Sequence, residues 1–162
     1  MTTTNKKGFG ELGVTTIPTL TDIPRGHGSS MICDYETKMT RVCEGAGPIV
    51  AAVWNRDDSL LVLLKPTTDL PEKYNIQILK LANSGMKDFY PKPDAVTEKM
   101  VLNQWQTYAI MIAKREVAEI RIYNAIIRTI ADDLLALVEG NTTLSKKDGP
   151  ALFDFLKTSL LG

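Results

Sequence analysis

One histidine, two cysteines and two pairs of adjacent aspartates are the residues of this chain with most scope for chemistry. His27 stands in Arg25-Gly26-His27-Gly28-Ser29-Ser30. A Ser/His or Cys/His couple would have to use it, and such a base must be held within hydrogen-bond reach of the group it deprotonates. Glycine on both sides predicts an exposed loop histidine instead. Zinc needs about four Cys or His ligands. His27, Cys33 and Cys43 are three at most and lack a paired-ligand spacing. Asp57-Asp58 reads as the tip of a turn, and Asp132 stands one helical turn from Arg128, an ordinary surface ion pair. Gly45-Ala46-Gly47-Pro48 lacks the Lys-Ser/Thr ending of a phosphate-binding loop. The sequence therefore assigns no catalytic residue, no cofactor-binding residue and no metal ligand, and the expectation is a protein that is not an enzyme.

Composition narrows the partners. Lys plus Arg and Asp plus Glu are equal at 19 each, so no global field draws in nucleic acid or an anionic membrane. Lys6, Lys7 and Arg25 leave nucleic acid as a weakly supported partner. A near-zero net charge also removes electrostatic protection against self-association. The 44% apolar content suffices for a real core. The sequence has no signal-peptide pattern and no run long enough to span a bilayer, so it reads as soluble and cytoplasmic, or held within an assembled particle. In that setting Cys33 and Cys43 are expected as free thiols, with a disulfide between adjacent strands as the alternative.

With so little chemistry to position, the elements themselves carry the argument. Asp94 to Glu139 reads as one helical run of 46 residues with no Gly or Pro inside. Asp94 serves as N-cap and Gly140-Asn141 as the stop. A straight run would reach about 65–70 Å, against a diameter near ~40 Å for a compact domain of this size. The helix must break, near Asn103–Thr107 or Asn124, or pack against another subunit. Its heptad pattern places Ile110, Val117, Asn124, Ala131 and Val138 at a, and Ala113, Ile120, Ile127 and Leu134 at d. Val117, Ile120, Asn124, Ile127 and Leu134 are the expected subunit interface, with Glu116 at g and Arg121 at the following e setting its register. A second apolar row, Ile122, Tyr123, Ile126, Ile130 and Leu137, lies off that seam and favours a buried bundle helix.

Residues 1–30 read as an extended arm rich in Thr, Gly and Pro, without a sustained period. Its apolar residues stand singly, at Phe9, Leu12, Val14, Ile17, Leu20 and Ile23, and of these Phe9, Leu12, Ile17 and Leu20 are expected to fill pockets on a neighbouring subunit, the arm ordering only there. Residues 31–162 read as one domain. Met31–Tyr35 and Met39–Cys43 are short strand candidates, and Ile49–Trp54 with Leu60–Leu64 an antiparallel hairpin around a polar five-residue connection. A helix over Ile49–Leu64 is the rival. Further elements are a helix from Asp69 ending at Asn83-Ser84-Gly85, and a short last helix marked by Leu152, Phe153, Leu156 and Leu160. The fold class expected is α+β, mostly α, with an N-terminal arm, a small β-hairpin region and one long helix, the alternative being all-α. The expected function is a structural or assembly protein that self-associates through the long helix and the arm, as virion or filament components do. The alternative is a small regulatory or adaptor protein that binds nucleic acid or a larger enzyme.

Overall fold

The computed structural model describes residues 12–14, 17, 19–20, 28–74 and 96–161. Among them six α-helices form: α1 (Gly28–Gly45), α2 (Pro48–Trp54), α3 (Ser59–Leu64), α4 (Val96–Ile127), α5 (Asp132–Glu139) and α6 (Gly149–Leu161), with a 3-10 turn at Glu72–Tyr74. No strand is present among the described residues, and the single β-type pairing is an isolated parallel bridge between Leu20 and Ile130. The chain divides into two compact units, one made of Met1–Arg56 with Val117–Gly162, the other of Asp57–Glu116.

The expected hairpin is overturned: both of its apolar runs are helical. Gly47, at φ +126°, takes a conformation strained for any other residue, and Pro48 follows in the first turn of α2, where its missing N–H costs nothing. Val50, Val53 and Trp54 then share one buried face. The polar connection joins two helices. Arg56 stands there at φ +57°, and Asp57 Oδ1 accepts from the Ser59 N–H at 3.0 Å and its hydroxyl at 2.6 Å. The two N-terminal strand candidates are likewise corrected: Met31–Tyr35 and Met39–Cys43 both lie in α1. Ile32, Tyr35, Met39 and Cys43 recur every three or four residues and are all at most 2% exposed. That spacing is the stripe of a helix, and burial of the stripe outweighs the β propensity of single residues.

The 46-residue run is corrected as well. α4 is continuous through Asn103–Thr107 and Asn124 and ends at Ile127, and α5 begins at Asp132. No Gly or Pro causes the break. Thr129 Oγ1 donates back toward the carbonyls of Ala125 (2.9 Å) and Ile126 (3.0 Å), and the Thr129 N–H closes a tighter turn on Ile126 O at 2.9 Å. The Leu20 N–H then takes Thr129 O at 2.8 Å, and Leu20 O receives the Ala131 N–H at 2.9 Å. Backbone from a distant part of the chain satisfies the groups freed where the helix stops.

In the first unit α1 packs on α2 and α6, α2 on α6, and α5 on α6. The core joins Ile32, Tyr35 and Met39 of α1, Ile122 and Ile126 of α4, and Leu152 and Leu156 of α6. Phe153 packs against Trp54 at 5.0 Å and stacks on Tyr35 at 6.1 Å between centroids. Thr129, the one buried polar residue among those described, hydrogen-bonds the Tyr35 hydroxyl. In the second unit Tyr74 and Leu102 make a small core, with the Tyr74 hydroxyl donating to Glu98 at 2.5 Å. Trp105 donates to Thr68 O at 2.8 Å and meets Tyr108 edge-on. Most of the helix expected from Asp69 lies outside the described residues.

Candidate functional site

Among the described residues, those with scope for chemistry do not converge. His27 lies outside the described residues. Both cysteines are free; Cys33 is exposed on α1 and Cys43 buried. No group of three or more His, Cys, Asp or Glu among the described residues is placed to hold a metal ion. Asp57 stands just before α3, and its carboxyl is held below the usual range by the Ser59 hydroxyl and N–H. Asp58 pairs with Arg115 at 2.6 Å, within the same unit. Asp132 and Asp133 open α5, where negative charge suits the helix N-terminus, and Asp133 accepts the Leu134 N–H at 2.9 Å.

A polar slot of about 250 Å³ beside Trp54 was not legible in the sequence. Arg56 reaches across it to Pro150 O at 2.8 Å and to Asp154, and Lys157 reaches Glu36 at 3.2 Å. These partners lie about a hundred residues apart in the chain. Both ion pairs are half exposed, where a pair contributes about 0–1 kcal/mol. Each cation already has its anion, so the arrangement fastens α6 to α1 and to the end of α2.

Burial sets the state of the one interior thiol. It pushes the Cys43 pKa up to about 12, which nearby Arg121 only partly offsets. An unfolded thiol titrates near ~8.5. The stability that neutral Cys43 contributes is therefore full below that value and is lost as pH rises through the folded one. We expect the urea midpoint to fall between pH 9 and 12, and to fall less in Cys43→Ala. Thiol titration should find Cys33 reacting on mixing and Cys43 only with unfolding. Equal rates for both would contradict the burial described.

The surface with most to offer an interaction is α4 within the first unit. At roughly 100° per residue, Ile120, Asn124 and Ile127 fall within about 80° of Val117 on one side. Ala118, Ile122, Ala125 and Ile126 fall on the other and form the buried row, none above 2% exposed. The off-seam row of the sequence is thus the core row at Ile122, Ile126 and Ile130, while Leu137 is exposed. Val117 is 56% exposed, Asn124 is exposed, and Ile120 and Ile127 are half-buried. Leu134, expected on the same seam, is 1% exposed in the unit's own core. Arg121 is half-buried with its Nε inside and without a hydrogen-bond partner, and it lies close enough to Cys43 to affect the thiol. Glu116, the last residue of the second unit, is exposed. Ile127 also lines a cavity of about 580 Å³ with Tyr123, Leu135, Val138 and Leu144.

Of the expected arm contacts, Phe9 lies outside the described residues. Leu12 (2% exposed), Ile17 (7%) and Leu20 (0%) are buried within the core of the first unit. Arg128 donates to Leu12 O at 3.2 Å, beside the bridge at Leu20. The corner that Leu20 bridges, Thr129–Ala131, carries no local sequence signal.

Comparison with protein-family models, with curated proteins and with solved structures returned no match. Among the described residues no helix is long and apolar enough to cross a membrane.

Proposed function

We propose that this chain is a non-enzymatic assembly protein that self-associates through the outer face of α4. The observation that carries the reading is the pair Val117 and Ile120, set off from the buried row Ala118, Ile122, Ala125 and Ile126 of the same helix, with Ile127, packed partly against the core, at the edge of that surface. Isolated exposed aliphatics are ordinary. A row at heptad spacing with Asn124 among its members is the pattern by which helices select a partner and a register. Its outer members can be covered by a second copy without disturbing the core that Ile122 and Ile126 build.

The test is Val117→Asp. Val117 is largely exposed, so the fold should be kept, with the far-ultraviolet circular dichroism and urea midpoint close to wild type. The mass by light scattering should fall from oligomer to monomer. A wild-type chain that is monomeric at high concentration, or an oligomer indifferent to Val117→Asp, would remove the support for this surface. A salt-sensitive shift with nucleic acid would instead favour an adaptor.

A further inference from the structure

We propose that the cavity of about 580 Å³ lined by the end of α4, by α5 and by the chain joining α5 to α6 is a binding site for a small amphiphile, an apolar tail carrying one carboxylate. Every residue that lines it belongs to the first unit, so the inference is independent of self-association. The volume lies within the roughly 300–1,000 Å³ of ligand pockets, which combine an apolar lining with a few polar groups.

The apolar lining follows from how this part of the unit is built. α4 stops at Ile127, α5 starts at Asp132, and residues 140–148 connect α5 to α6. Among residues 140–148, Leu144 is the one apolar side chain. Side-chain turns hold this connection in shape. Asn141 Oδ1 accepts the Thr143 N–H at 3.0 Å and its hydroxyl at 2.6 Å, and Ser145 Oγ accepts the Lys147 N–H at 3.2 Å. Tyr123, Ile127, Leu135 and Leu144 each pack against the core yet are only half-buried, and all four line the cavity beside buried Val138. Apolar surface that the chain leaves partly uncovered thus meets in one place, and a tail that covers it removes it from water.

Glu139, Asn141, Thr142 and Lys146 supply the polar lining. Asn141 Oδ1 is already engaged, so its amide N–H groups are what it offers a ligand. With the Lys146 ammonium and the Thr142 hydroxyl they make a donor set suited to a carboxylate. Among the described residues neither Lys146 nor Glu139 has an ion-pair partner. Glu139 ends α5, where the helix carbonyls add negative potential to its own charge. These groups set a limit: Lys146 accommodates a monoanion, while a dianion such as a phosphate monoester is repelled.

The probe is decanoate, added below its micelle-forming concentration to the full chain with methyl-labelled Ile, Leu and Val. The methyl resonances of Ile127, Leu135, Val138 and Leu144 are expected to move together and saturably, while those of Val50, which does not line the cavity, stay in place. Calorimetry gives the affinity. Lys146→Gln should weaken decanoate by roughly fivefold and Glu139→Gln should strengthen it by a similar factor. Both residues are exposed, so both variants should keep the fold. Leu144→Trp fills the cavity and should abolish binding. Decylammonium, the same tail with the opposite charge, should bind more weakly than decanoate and respond to the two charge variants in the opposite sense. Preference for decylammonium, or a decanoate affinity indifferent to Lys146→Gln and Glu139→Gln, would overturn the carboxylate assignment. Resonance shifts spread over methyls that do not line the cavity, or no shifts at all, would overturn the site itself. Undiminished binding in a folded Leu144→Trp chain would do the same.

Discussion

A chain lacking residues 1–20 is expected to lose its cooperative unfolding transition in urea, together with much of its helical circular dichroism. Leu12, Ile17 and Leu20 are each at most 7% exposed and belong to the core of the first unit. Trimming one buried Leu or Ile to Ala costs about 2–5 kcal/mol. Removal of all three approaches the roughly 5–15 kcal/mol that holds an ordinary domain together. Truncation also strips the partners from Thr129 O and the Ala131 N–H, so two main-chain groups at the helix break must find water or each other. Leu20→Ala alone should lower stability by about 3 kcal/mol. An unchanged urea midpoint in the truncated chain would show that the segment is an accessory to the fold and not part of it.

Gly149→Ala should be about as damaging as Leu20→Ala, although alanine is the better helix former by about 1 kcal/mol. The reason is the close approach of α6 to α4. A Cβ built on Gly149 would stand 2.4 Å from Ile122 Cγ2 and 2.5 Å from the main-chain nitrogen of Tyr123. A side-chain methyl can rotate away, but a main-chain nitrogen inside a helix moves only with the helix. Overpacking of this kind costs about 1–3 kcal/mol, occasionally more. We place Gly149→Ala at the top of that range, and Gly149→Val should not fold. Gly45→Ala is the control: nothing lies within 4 Å of its new Cβ at the end of α1. It should leave the urea midpoint within about 0.5 kcal/mol of wild type. Equal effects at Gly45 and Gly149 would mean that the helices are not seated this closely.

The long helix and the last helix could be read from the chain because their apolar periods run uninterrupted, and α6 buries Leu152, Phe153 and Leu156 as the spacing requires. α1 was hidden for a different reason. Glu36-Thr37-Lys38 looks like a turn, yet all three residues lie within one helix. Glu36 pairs with Lys157, the Thr37 hydroxyl donates to Cys33 O, and Lys38 pairs with Asp34. Val50 and Val53 favour strands as residue types, but Gly47-Pro48 sets a helix start and Trp54 needs the same face buried. The α4–α5 break could be read only as a need for a break, near Asn103–Thr107 or Asn124; its place after Ile127 depends on Thr129 and on Leu20, far away in the chain. The interface candidates divide along the same line. Local period located the row at Val117, Ile120, Asn124 and Ile127, whereas Leu134 and Arg121 were drawn inward by residues of other helices.

The Leu20–Ile130 bridge has a consequence for how the protein is made. About 110 residues separate the two ends, and a ribosome adding 5–20 residues per second needs roughly 6–22 s to cover them. For that interval the nascent chain carries Leu12, Ile17 and Leu20 with no seat of its own to receive them. Until residues 128–131 have been made, those side chains have no corner to cover them, and the core of the first unit closes only late in synthesis.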